Sequence, residues 1–178
     1  MDNTAFHPLP LLDKELHHYF SVLGRALFTT QQLEMNCRAI VGFVHMLSQT
    51  EFLGASAIDD PKFQEWMENL WKHTFGHHIK ELQKIYGFPD EIYSIFEDAR
   101  VARNTIAHEI AMGVVDRLEL GVEPQIDEIK DLVRKIAIAD KIASSILQAI
   151  NKESFPTAVF YLSYEDKIVA WVSEDTFK

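Results

Sequence analysis

With a single cysteine, Cys37, the chain has no second thiol for an intrachain disulfide and no thiolate set for a zinc ribbon. Cys37 is therefore expected to be a buried structural thiol. The seven glycines stand singly, and the chain contains no G-x-x-x-x-G-K-[ST], G-x-G-x-x-G, G-x-S-x-G, H-E-x-x-H or EF-hand loop. Nucleotide-cradling, serine-hydrolase and zincin readings fall away, and neither a cofactor nor a metal is implied. The longest apolar run, around Ile40 to Val44, is far shorter than the roughly 20 residues of a membrane span, so no membrane partner is expected. Met1-Asp2-Asn3-Thr4 lacks the basic and apolar regions of a secretory signal, which points to the cytosol. Cations are scarce as well: 17 Lys and Arg face 27 Asp and Glu, for a net charge of −10. That balance opposes nonspecific nucleic-acid binding through a broad basic face and leaves room only for a local basic cleft.

What the chain does have is 178 residues with 47% hydrophobic and 25% charged content, enough for one soluble domain with its own core. Apolar residues fall at helical spacing from Leu11 to about Gln49, through Leu16, Phe20, Leu23 and Leu27, then Leu33, Cys37, Ile40, Val44 and Leu47. The phase slips between Leu27 and Leu33, and Thr29 with Gln32 has the form of a capping box, which predicts a break there. Gly54 to Asp60 reads as a loop, and Asp60-Pro61 as the N-cap of a helix reaching His73. That helix carries Phe63, Trp66, Met67, Leu70 and Trp71 as a core or dimer face. A further helix from Phe75 to Tyr86 is expected to end at Gly87 in a left-handed cap. The segment from Asp90 to about Met112 places Ile92, Ile95, Ala99, Ala102, Ile106 and Ile110 on one stripe at roughly 100° per residue. After a loop from Gly113 to Gly121, Pro124 opens a last long helix. Ala158 to Ser163 and Ile168 to Val172, β-branched and aromatic and separated by Tyr164-Glu165-Asp166-Lys167, read as a β-hairpin.

Two groups of polar residues are candidates for chemistry. His73, His77 and His78 sit at a helix junction, where the first two could share a helical face as metal ligands. Gly76 between them and the lack of a third carboxylate ligand favour solvated histidines instead. The second group is Ala99-Arg100-Val101-Ala102-Arg103-Asn104-Thr105-Ile106-Ala107-His108-Glu109. Here Arg100, Asn104 and His108 follow one another at intervals of four, a row of surface neighbours in which Asn104 could orient the imidazole. Arg103 offers a planar fork suited to phosphate. On a regular helix Arg103 and His108 lie roughly 140° apart and do not meet. A distorted helix, a long reach by the arginine, or a second copy of the chain would each bring them together. Failing that, the row is a solvated face.

Arg103-Asn104-Thr105-Ile106-Ala107-His108, an arginine, a polar residue and a histidine with four residues between Arg and His, resembles the signature of the HEPN superfamily. The stretch from Thr74 to Leu82, then Phe88-Pro89-Asp90 and the motif helix, is similar to the usual HEPN arrangement, and the likeness covers roughly Leu11 to Asn151. It implies a bundle of four or five helices, a homodimer joined through the motif helices and, in active members, metal-independent endoribonuclease activity, often in toxins or phage defence. Under that implication His108 is the acid–base, Arg103 the phosphate and transition-state stabiliser, and Asn104 the orienting residue. Arg100 is added as substrate-binding from helix geometry alone. Some toxin members carry a tyrosine two residues after the histidine that a partner enzyme modifies; this chain has Ile110. Glu109 beside His108 could raise the imidazole pKa or face solvent.

The expected fold is thus all-α, an up-and-down bundle of four to six helices over residues 1–152, with the hairpin at 153–178 packed on it. The expected partners are a second copy of the chain, RNA, and an antitoxin or regulatory protein. The competing expectation is a non-catalytic dimeric module, because the charge of two such chains opposes approach of a polyanion.

Overall fold

A computed structural model describes residues 14–54, 59–111, 113, 126–154 and 156–174. These residues are all-helical, with no strand among them. They form α1 (Lys14–Leu53), α2 (Pro61–Lys72), α3 (Phe75–Tyr86), α4 (Asp90–Asn104) with a π-helical turn continuing it (Thr105–Ile110), α5 (Ile126–Asn151), α6 (Ala158–Leu162) and α7 (Tyr164–Ser173). The two long helices α1 and α5 pack along each other, α4 and α7 lie against α5, and α3 bridges α1 and α4. Val22, Leu33, Cys37 and Ile40 of α1 meet Phe96, Ile106, Ile129 and Ile136 in a common core. The loop expected from Gly113 to Gly121 falls, beyond Gly113 itself, outside the described residues, as does the helix start expected at Pro124.

The break expected between Leu27 and Leu33 does not occur, and α1 runs unbroken. Thr29 and Thr30 are buried on the core side, where a sequence pattern looks for apolar residues. Their hydroxyls bond backward, Thr29 to the Arg25 carbonyl at 2.9 Å and Thr30 to the Leu27 carbonyl at 2.7 Å. A hydroxyl satisfied by the preceding turn caps nothing ahead of it. Val22, Ala26, Leu33, Cys37 and Ile40 then form one continuous buried line. Cys37 is a free buried thiol, and burial pushes its pKa up, with the charges of Asp140 and Glu34 adding to the shift.

Local signals hold at the junctions between α1 and α4. Asp60 caps α2 by accepting from the Lys62 amide at 2.7 Å, with Pro61 at the first helical position. Thr74 accepts from the His77 amide at the start of α3. Gly87 closes α3 at φ 58°, where a Cβ would strain the backbone.

The β-hairpin is corrected to two helices. Thr157 caps α6, and Tyr164-Glu165-Asp166, expected as a turn, is the acidic first turn of α7. A lone two-stranded hairpin is marginal in water, whereas a helix satisfies its backbone internally and offers Ile168, Val169 and Val172 to the bundle as one face. Polar contacts fasten it: Arg134 pairs with Asp166 at 2.7 Å, Lys141 with Glu165, and Arg25 donates to the Val172 carbonyl at 2.9 Å. Buried Asp140 accepts from the Tyr164 hydroxyl and from Asn36 Nδ2 at 2.8 Å, and burial raises its pKa despite both bonds. Tyr164→Phe leaves that carboxylate with one donor fewer in the interior, which should cost about 1–2 kcal/mol. Urea unfolding of the variant against the wild type measures it.

Candidate functional site

The apolar stripe of α4 anchors the site. Phe96, Ala99, Ala102, Ile106 and Ile110 are buried, while Ile92 and Ile95 pack at the core's edge. With that face fixed, Arg100, Arg103, Asn104 and His108 turn toward the junction of α2 and α3. At Thr105 the regular ladder ends and the Ala111 amide reaches the Ile106 carbonyl at 3.0 Å, an i→i+5 bond. Such a turn accommodates one more residue than an α-turn, so positions five apart become neighbours. Arg103 Nη1 accordingly lies 3.4 Å from His108 Nε2. The pair therefore meets within a single chain, with the helix distorted at His108 and the arginine reaching it by its terminal nitrogen.

Asn104, the last residue of α4, contacts Arg103. Its Oδ1 accepts from Arg103 Nη1 at 3.3 Å, so it steadies the guanidinium at the place where it meets the imidazole. Arg103 Nη2 pairs with Glu34 of α1 at 3.1 Å, and Glu34 also holds Arg38 at 3.2 Å. Arg100 pairs with Glu97 at 2.8 Å. Glu109 is exposed, with Oε1 3.5 Å from the Thr105 hydroxyl.

Arg100, Arg103, Asn104 and His108 line one open cavity of about 480 Å³. Glu34, Lys72, His73, Thr74, Phe75 and Gly76 complete its wall. Three formal cations, Lys72, Arg100 and Arg103, gather here in a chain whose net charge is −10, with Glu34 paired to Arg103 and Glu97 paired to Arg100. Two of these cations are thus ion-paired, and His73 and His108 bring two imidazoles to the same cavity. Glu34 and Lys72, and the placing of His73 beside His108, escape sequence reasoning because helical spacing reports only neighbours within one helix; Glu34 is 69 positions from Arg103.

The histidine junction is not uniformly solvated. His73 and His77 are half-buried with ring centroids 3.9 Å apart, but His78 is fully buried and its Nε2 accepts from Arg38 Nε at 3.3 Å. Among the described residues no group of three or more His, Cys, Asp or Glu is arranged to hold a metal ion. The aromatic face of α2 divides too. Trp66 stacks on His45 at 3.6 Å, whereas Trp71 is 62% exposed beneath the Arg38 guanidinium. No helix among the described residues is long and apolar enough to cross a membrane. Comparison with family models, curated proteins and solved structures returns no match.

Proposed function

We propose that this cavity is the active site of a HEPN-type endoribonuclease that cuts RNA by attack of a 2′-hydroxyl on the adjacent phosphorus. The observation that carries the reading is the meeting of Arg103 and His108 at the π turn, in a cavity that Lys72 and Arg100 also line. His108 Nε2 takes the proton of the 2′-hydroxyl as the oxygen attacks. The P–O5′ bond breaks, leaving a 2′,3′-cyclic phosphate and a 5′-hydroxyl. Arg103, turning its fork from Glu34 to the non-bridging oxygens, stabilises the charge that builds in the transition state. The leaving oxygen takes its proton from a second imidazole. His73 lines the same cavity, and a homodimer through the motif helices would bring a second His108. Arg100 holds substrate phosphate beside the reacting one. A toxin or phage-defence role, cytosolic and held in check by an antitoxin, belongs to the same proposal.

The test is cleavage of a mixed RNA pool in EDTA by the wild type and by His108→Ala, with the oligomeric state of both measured by light scattering. Cleavage by the wild type alone supports the reading. Equal cleavage by both proteins, or by neither, defeats it.

A second reading, the non-catalytic dimeric module, draws support from the ion pairs. Glu34 already pairs with Nη2 of Arg103 and Glu97 with Nε of Arg100, as they would in a purely structural network. An apolar groove of about 260 Å³ beside Met35, Phe43 and Trp71 would then be its partner surface. Absence of cleavage in the test above turns the choice to this reading.

A further inference from the structure

The cavity at His108 does not end at Arg100. A second one of about 530 Å³, lined by Thr74, Gly76, His77, Lys80, Tyr93, Glu97 and Arg100, adjoins it. Thr74, Gly76 and Arg100 belong to both. The chain achieves this continuity through a close approach. A Cβ built on Gly76 would lie 3.1 Å from Arg100 Cδ, inside ordinary van der Waals contact, so the absence of a side chain at 76 lets the arginine stem cross the start of α3. The Arg100 guanidinium, held by Glu97, therefore stands at the boundary between the cavities. On its far side are a lysine, Lys80, a histidine, His77, and the ring of Tyr93, whose hydroxyl lies 3.5 Å from Glu97 Oε1. Cations tracking a backbone beside an aromatic ring are the means by which proteins hold single-stranded nucleic acid.

We propose that the second cavity is a subsite for the neighbouring nucleotide of a single-stranded RNA, with Lys80 taking its phosphate and Arg100 bridging that phosphate and the scissile one. The proposal rests on the ribonuclease reading of the first cavity and adds the direction in which the strand leaves it, along α3 toward Lys80. A polyanion approaching a chain of net charge −10 gains most from cations gathered along one path, because each phosphate contact releases counterions.

Binding decides this separately from cleavage. The protein carrying His108→Ala is titrated into a labelled single-stranded RNA of about 12 nucleotides and followed by fluorescence anisotropy. Adding Lys80→Ala should weaken binding about 3- to 10-fold and reduce the slope of log affinity against log salt by about one. Lys84→Ala removes the same charge from the same helix at a site outside both cavities, where the lysine pairs with Glu81, and should leave binding unchanged. Equal weakening by the two variants, or no effect of Lys80→Ala, overturns the subsite. In the otherwise wild-type chain, Lys80→Ala should slow cleavage of the long RNA but not of a dinucleotide, which is too short to fill both cavities. A wild type that binds RNA through Lys80 but cuts none defeats the nuclease reading and leaves the subsite standing.

Discussion

His108→Ala is expected to lower RNA cleavage by about 10²–10⁴-fold, the usual contribution of a positioned acid–base group. The imidazole is exposed, so its removal touches no core contact and the urea midpoint should stay close to that of the wild type. Arg103→Ala should fall in the same range, since in the proposed reaction both side chains act on one phosphate. The double variant is then expected to be little worse than either single one, because groups that work as a unit do not contribute additively. Arg103→Lys separates charge from geometry. A lysine keeps the charge but loses the fork that reaches Glu34, Asn104 and His108 together, and activity should remain well below wild type. Independent, multiplicative losses from the two alanine substitutions would mean that the contact between Arg103 and His108 is a structural neighbourhood and nothing more. Initial rates on one RNA, measured for wild type and all four variants at equal concentration, decide between these outcomes.

How much of this could be read from the residues depended on the range over which each signal acts. Asp60-Pro61, Thr74 and Gly87 are one-turn signals, and each sits at the helix end where its chemistry places it. The α4 stripe was legible because its burial is nearly continuous from Ala99 to Ile110, but one turn earlier the fully buried residue is Phe96, which the spacing passed over for the partly buried Ile92 and Ile95. Thr29 and Thr30 misled because a hydroxyl can either cap a helix or lie against one, and only the packing of α1 on α5 selects the second. The tail misled for a related reason. Val159, Phe160 and Tyr161 suit a strand by propensity, but a strand needs a partner for its backbone, whereas α7 had Asp140, Lys141 and Arg134 of α5 waiting for Tyr164, Glu165 and Asp166. In the site, the Arg-x4-His spacing was visible, whereas a distorted helix was only one of three ways to join the pair and the π turn itself could not be read. An i→i+5 bond has no residue signature of its own. The rest of the cavity comes from α1 and the α2–α3 junction, and helical periodicity carries no information about which distant helix supplies a neighbour.

Acid should loosen the bundle between pH 6.5 and 4, and His78 should carry the largest single share. Its side chain is fully buried, and its pKa is lowered from 6.5 to about 4, first by burial and then by the positive charge of Arg38. In that window the unfolded chain holds a proton at this position that the folded chain does not. Unfolding therefore takes up a proton, and stability falls as the pH falls through the window. At pH 5 the loss from this residue should be about 2 kcal/mol relative to pH 7.5, roughly an eighth to two fifths of a typical domain's stability. His45 and His77 are lowered as well and act in the same sense. Asp140, raised by burial, acts in the opposite sense, because the folded state accepts its proton more readily than the unfolded one. His78→Gln keeps an acceptor for Arg38 Nε and removes the titration. It should be less stable than the wild type at pH 7.5, and its further loss on going to pH 5 should be smaller by about 2 kcal/mol. Urea midpoints for both proteins at the two pH values give the comparison. Parallel losses in wild type and variant would assign the acid sensitivity to other groups and leave His78 as a packed, pH-silent core histidine.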